Sequence, residues 1–168
     1  MKRIKFMKTA LLLLFVACAF SNCEEDGAIQ FIVVDDFTTS VNFEGLAAES
    51  SFTENSSTNI AELLEGAASF VEADIESVTL KLQDDFDGTS INGNIIVAVG
   101  SIVLIDQDVT ITKGGSLVIQ VPVDAGNILS VISANVVPVS ITGSSTSGAL
   151  GDDDFTIDLL FKIRATVE

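Results

Sequence analysis

Three carboxylates lie close together in the segment Asp84-Asp85-Phe86-Asp87-Gly88. Calcium takes about six to eight oxygen ligands, and proteins supply them mainly as carboxylates and main-chain carbonyls. The glycine favours a tight reversal of the backbone, which would turn the three carboxylates towards one ion. Asp84, Asp85 and Asp87 are therefore candidate calcium ligands.

A second acidic group lies at Gly151-Asp152-Asp153-Asp154, and the segment Asp106-Gln107-Asp108 offers the same type of ligand. Because the second group again combines carboxylates with a glycine, we take Asp152, Asp153 and Asp154 as a second candidate set for Ca²⁺.

An EF-hand is excluded, because the twelfth position counted from Asp84 is Ile95, where that motif needs a bidentate glutamate. The alternative interpretation is that these Asp and Gly residues form turns on an acidic surface and bind no ion. The sequence leaves both interpretations open, and no other cofactor is indicated.

Catalytic chemistry has few residues to work with. The chain contains no His, Trp or Tyr, which excludes His-dependent triads and the larger aromatic platforms for sugars. A hydrolase would have to use a pair of carboxylates, and the lysines after the N-terminal segment, Lys81, Lys113 and Lys162, fit solvent-facing strand or turn positions. We assign no catalytic residue and expect that the protein is not an enzyme. Zinc is excluded in the same way, because its usual nitrogen and sulfur ligands are lacking.

The N-terminus has the pattern of a secretion signal. Four bases, Lys2, Arg3, Lys5 and Lys8, precede an apolar run over 9–20. As a helix this run would reach about 18 Å, which is short of the roughly 30 Å hydrocarbon core of a membrane. Residues 1–22 are therefore predicted to be a signal peptide and not a membrane-spanning helix.

The two cysteines, Cys18 and Cys23, both lie at the end of this apolar segment, so the rest of the chain has no disulfide framework. The segment Phe20-Ser21-Asn22-Cys23 resembles the lipobox of bacterial lipoproteins, although Phe stands where Leu is usual and Asn22 stands where a small residue is usual. The resemblance implies that Cys23 is acylated and becomes the first residue of the mature chain, anchored in the membrane. Cys18, in Phe15-Val16-Ala17-Cys18, is the alternative; Cys23 leaves the longer apolar segment.

The acidic triplet Glu24-Glu25-Asp26 follows this cysteine directly. It resembles the export signal that Bacteroidota lipoproteins carry at the same place, which implies attachment to the outer membrane and display on the cell surface. Residues 23–27 are then the lipidated cysteine and its acidic tether. The alternative is an ordinary cleaved signal followed by an acidic start.

Charge narrows the choice of partners. All 24 Asp and Glu residues follow Cys23, together with four of the eight Lys and Arg residues, so that part of the chain carries a net charge of −20. Such a chain is repelled by phosphate backbones, and we expect no nucleic-acid partner. The expected partners are the membrane, through the lipid, and a protein or glycan at the cell surface.

The elements that must position these residues are strands. Apolar residues alternate with polar ones along 155–167, where Phe155, Ile157, Leu159, Phe161, Ile163, Ala165 and Val167 share one face. The same period of two predicts further strands over 37–43, 78–82, 95–99, 109–111, 117–123 and 137–141.

Segments between the strands show turn and helix patterns. Asn92-Gly93, Lys113-Gly114-Gly115 and the stretch 143–148 predict turns, and Asn59 predicts the cap of a short helix over 59–65. A second helical turn is placed at 125–133, and the polar segment 47–58 is predicted to be a surface loop. The apolar run 95–105, interrupted at 100–101, is either one bulged strand or two strands that meet at a bend.

Together these patterns predict one all-β domain over 28–168, an antiparallel β-sandwich of Greek-key or immunoglobulin-like topology with 7–9 strands and one or two short helices. A closed barrel is the alternative. The expected function is that of a non-catalytic binding or structural module at the cell surface. A carrier or sensor that encloses an apolar ligand is the second hypothesis.

Overall fold

The structure, a computed structural model, describes residues 30–46, 48–64, 67–132, 135–147, 150 and 154–168. The predicted signal peptide, Cys23 and the acidic tether lie outside these ranges. The strands are β1 Phe31–Phe43, β2 Ser51–Asn59, β3 Phe70–Leu82, β4 Ser90–Val99, β5 Ile102–Thr112, β6 Ser116–Gln120, β7 Val136–Ser145 and β8 Phe155–Val167.

These strands form two four-stranded sheets. The first sheet has the order β1-β8-β3-β6 and the second has the order β2-β7-β4-β5, and every pair of neighbours is antiparallel. This order is that of a jelly roll, a sandwich built from two Greek keys. The predicted Greek-key sandwich is confirmed, and the barrel alternative is wrong. Both sheets and the core between them lie within 30–168, so this part of the chain is a complete folding unit.

Strand β8 forms the centre of the core. Each of its seven inward apolar side chains, from Phe155 to Val167, is at most 2% exposed, because β8 has neighbours on both sides and a second sheet over one face. Phe161 stacks on Phe37 of β1 with 4.8 Å between ring centroids, and Phe155 stacks on Phe43 at 4.8 Å. The alternation over 155–167 was therefore a correct indication of both the strand and its buried face.

The predicted loop over 47–58 is wrong, because Ser51–Asn59 is strand β2. This strand lies at the edge of the second sheet and pairs only with β7. Phe52 is its one buried residue. An edge strand with one solvated face needs few apolar residues, so its polar sequence resembles that of a loop.

Three further predictions are corrected in detail. Asn92 and Gly93 are not a turn but lie inside β4, and the stretch predicted as a polar hairpin tip begins inside β7, which continues to Ser145. The strand predicted to reach 123 ends at Gln120, and Val123 is 95% exposed. The interrupted run 95–105 is two strands, with Gly100 at a positive φ of 58° in the turn between them.

The predicted first helix is a single 3₁₀ turn, Ala61–Leu64. The Asn59 side-chain oxygen accepts a hydrogen bond from the Ala61 amide at 2.8 Å, as a capping residue does. The second helical turn is absent from the described residues between 125 and 132, which form turns and one isolated bridge. Within the described ranges, no helix is both long enough and apolar enough to cross a membrane.

Candidate binding groove

A β-bulge in β3 creates the most distinctive cluster of charges in the described chain. Strands β3 and β8 pair in regular register until a shift between Ile75 and Ser77, which leaves Glu76 as the extra residue. A bulge re-aims the side chain of the extra residue. Here the Glu76 carboxylate meets two bases of β8, Lys162 and Arg164, whose side chains point outward between the buried residues of that strand.

Both bases bind the same carboxylate. Arg164 donates from Nε to Oε1 of Glu76 at 2.7 Å, with its Nη2 also 2.7 Å from that oxygen. Lys162 Nζ lies 3.2 Å from Oε2. The hydrogen bonds from Lys162 and Arg164 hold the pKa of Glu76 below its ordinary value. Because the two basic side chains are 50% and 60% exposed, water screens the pairs, and their main effect is to orient the groups.

Beside this cluster lies a groove of about 480 Å³. The segment after β6 forms its far wall and is tied to β3 by two backbone hydrogen bonds, from Val121 to Glu76 and from Ile75 to Gly126, at 2.9 and 2.8 Å. The groove is lined by the polar residues Asp74, Glu76, Gln120 and Arg164 and by Ile75, Val121, Val123 and Gly126.

The groove presents both donors and acceptors to a ligand. Arg164 has five N–H donors, and only part of them is used by Glu76. Asp74 faces Arg164 across the β3–β8 pair, and within the described structure neither Asp74 nor Gln120 has a side-chain hydrogen bond. A small polar molecule with one anionic group, for Arg164, and hydroxyl or amine groups, for Asp74 and Gln120, fits this arrangement.

The first candidate calcium loop is built differently from a metal site. Asp85 accepts hydrogen bonds from the Thr156 hydroxyl at 2.7 Å and from the Thr156 amide at 3.3 Å, which ties the loop to the start of β8. Asp84 lies instead beside Gly114, in the β5–β6 turn. Asp87 also has an interaction partner. Among the described residues, no three or more carboxylates or thiols are grouped so as to hold a metal ion.

The second candidate set is only partly described. Asp154 accepts a hydrogen bond from the Gly45 amide at 3.3 Å, whereas Asp152 and Asp153 lie outside the described residues. The third acidic segment is not a loop, because Asp106 and Asp108 belong to β5, and Asp106 accepts a hydrogen bond from Asn94 at 3.2 Å. Calcium binding stays a prediction for these loops.

Sequence reasoning did not find the groove. Lys162 and Arg164 could have suggested it, because they are two of only four bases after Cys23 and share the outward face of one strand. Their partner Glu76 could not be identified, because its position depends on a bulge that no local residue pattern marks.

The sequence matches no family model and no curated protein. Among solved structures, a chain of Desmodium yellow mottle tymovirus is 8% identical, with a TM-score of 0.42 over 86% of this chain and 91% of that one. A carbohydrate-binding module of Cel9A, a family 9 glycoside hydrolase of Ruminococcus flavefaciens, is 13% identical, with a TM-score of 0.44 over 77% and 98%. A pilus chain of Bacillus endospore appendages is 17% identical, with a TM-score of 0.36 over 88% and 97%. The superpositions are loose, and no functional argument rests on them.

Proposed function

We propose that this protein is a non-catalytic binding module of the bacterial cell envelope, anchored by a lipid on Cys23, which takes a small polar group of its ligand into the groove. The observation that carries the proposal is the groove itself, where the bulged Glu76 holds Arg164 beside Asp74 and Gln120. Arg164 would bind an anionic group of the ligand, and Asp74 and Gln120 would bind its hydroxyl or amine groups.

Two sugars that differ in one group test the groove. Glucuronate carries a carboxylate where glucose carries a hydroxymethyl group, so only glucuronate can pair with Arg164. Titrated into ¹⁵N-labelled protein of residues 23–168, glucuronate should shift the backbone amides of Gln120, Gly126 and Arg164, and glucose should shift them much less. The variant Arg164→Gln should lose the glucuronate shifts.

Lys81→Gln is the matched control, because Lys81 is an exposed base of the same sheet outside the groove. It should leave the glucuronate shifts unchanged. Equal shifts with both sugars, or shifts that survive Arg164→Gln, would show that the groove is not the binding site.

The lipid anchor has its own test. In a host that acylates lipoproteins, Cys23→Ala should remove the protein from the membrane fraction and stop incorporation of radiolabelled palmitate. Cys18→Ala is the control and should change neither result. A Cys23→Ala protein that stays labelled and membrane-bound would contradict the assignment of the anchor. The acidic triplet after Cys23 supports outer-membrane attachment, for which separation of inner and outer membranes is the readout.

The alternative of an apolar carrier has less support. The space between the sheets is occupied by a continuous cluster of buried side chains, with Val78, Leu80, Leu159 and Phe161 completely inaccessible to solvent. The described cavities are lined by strand edges and turns and open to the surface. A filled interior favours a ligand on the outside of the sandwich.

A further inference from the structure

The two ends of the sandwich differ in chemistry. We call proximal the end at which β1 begins, where Phe31 pairs with Val167 of β8 and Val167 pairs with Phe70 of β3. At the opposite end β1 stops at Phe43, which pairs with Phe155. The turns beside that pair are acidic, with Glu44, Asp84, Asp85, Asp87 and Asp154 among their residues.

Exposed apolar side chains gather at the proximal end. Among the described residues six large apolar side chains are exposed, and three of them are in the first four residues of β1. Phe31 is 55% exposed, Ile32 is 73% exposed and Val34 is 51% exposed. A shallow cavity of about 250 Å³ at the same end adds the half-buried Phe70, Leu129 and Ile132. Neighbouring exposed apolar side chains of this kind mark an interaction surface.

The length of the chain before β1 limits what this surface can face. Phe31 is eight residues after Cys23, and eight residues span at most about 29 Å when fully extended. Strand β1 has 13 residues and is itself about 43 Å long. A lipid on Cys23 therefore keeps the proximal end close to the bilayer, while the acidic end can lie farther away.

We infer that the proximal end rests on the lipid surface through Phe31, Ile32 and Val34, so that the sandwich stands on the membrane with its acidic turns directed away from it. This inference rests on the proposed lipid anchor. The occupant is a zwitterionic lipid surface, because Glu62, Glu72 and Glu168 at the same end would be repelled by anionic headgroups.

A single introduced tryptophan tests the contact, because the chain has no Trp or Tyr of its own. The protein of residues 23–168 has Cys23 as its one thiol, which can be coupled to a maleimide phospholipid in phosphatidylcholine vesicles. This chemical attachment does not depend on acylation in the cell. A failure of the docking inference can therefore be distinguished from a failure of the anchor proposal, which is read from palmitate labelling of Cys23.

The reporter variant is Ile32→Trp and the matched control is Val118→Trp. Both positions are exposed, at 73% and 58%, and both lie in the first sheet, but Val118 is about halfway along it. With phosphatidylcholine brominated in its acyl chains, Ile32→Trp emission should be blue-shifted and quenched, and Val118→Trp emission should be unchanged. Equal quenching of both variants, or quenching of neither, would overturn the inference. Melting curves of both proteins check that the fold is intact.

Discussion

Glu76 is the side chain on which the geometry of the groove depends. It is the extra residue of the β3 bulge, and its carboxylate holds Lys162 and Arg164 together on the outer face of the first sheet. Without that carboxylate, two like charges on one strand face would separate into solvent. The groove would then lose the orientation of Arg164 towards Asp74.

The lowered pKa of Glu76 leads to a pH prediction. Since its folded pKa lies below its unfolded pKa, the ion pairs stabilise the fold above the unfolded value and lose that effect as pH falls through the folded value, at roughly pH 4 and below. Glu76→Gln should lower the melting temperature at pH 7 by at most about 4 °C. The difference from the wild type should vanish towards pH 3.

Melting curves between pH 3 and pH 7 measure this effect. Asp124→Asn is the control, because Asp124 is an exposed carboxylate of the turn beside the groove and makes no ion pair within the described structure. The control should follow the wild type at every pH. A Glu76→Gln difference that is constant across the pH range would contradict the proposed cause.

At the scale of elements, β2 is held to the sandwich by one side chain. Phe52 packs edge-to-face on Phe43, with 4.7 Å between ring centroids, and its ring lies against Gly143 of β7, its partner in the strand register. A Cβ at position 143 would overlap this ring. Gly143 is therefore needed for the close approach of an aromatic ring and not for a turn.

A double-mutant cycle tests this contact. Gly143→Ala should lower the free energy of unfolding by about 1–3 kcal/mol, which is the usual cost of overpacking a core. In a Phe52→Leu background the added methyl group has more room, so the two effects should be clearly less than additive. Chemical denaturation of the four proteins gives the coupling.

Gly93→Ala is the matched control for this cycle. A Cβ at position 93 would overlap the backbone carbonyl of Ser144, which a smaller side chain at 52 does not relieve. Its cost should add to that of Phe52→Leu without coupling. Additivity in the Gly143 cycle as well would mean that Phe52 does not limit the space at position 143.

At the scale of the whole molecule, the net charge of −20 after Cys23 opposes compaction. Salt should therefore raise the melting temperature by screening, whichever cation is used. We expect millimolar Ca²⁺ to raise it no further than a salt of the same ionic strength does, because Asp85 is engaged by Thr156 and Asp84 lies beside Gly114.

Thermal melts of residues 23–168 with chelator, with Ca²⁺ and with a matched sodium salt separate these effects. An additional rise of several degrees with Ca²⁺, reversed by chelator, would show that a cation binds the native state. It would then assign the acidic turns as a site. Asp87→Asn and Asp154→Asn would show which turn contributes.

Alternation alone was sufficient to predict most strands and the fold class. In β8 and in Phe37–Phe43 of β1 every second side chain is buried, and burial of one face of a sheet requires a period of two. The prediction failed where that requirement is absent. Strand β2 is an edge with a single buried residue, and Asn92-Gly93 is a turn pair in sequence but an interior pair in β4.

The sequence by itself determined the all-β class, the buried face of the central strand and the strongly acidic surface, because these properties depend on residue types and short spacings. The tertiary structure decided the pairing order of the strands, the bulge that brings Glu76 to Arg164 across 88 positions of sequence, and the concentration of exposed apolar side chains at the proximal end. These features arise from contacts between distant segments. The free energy of such contacts depends on how whole sheets pack and not on the residues next to each one in the chain.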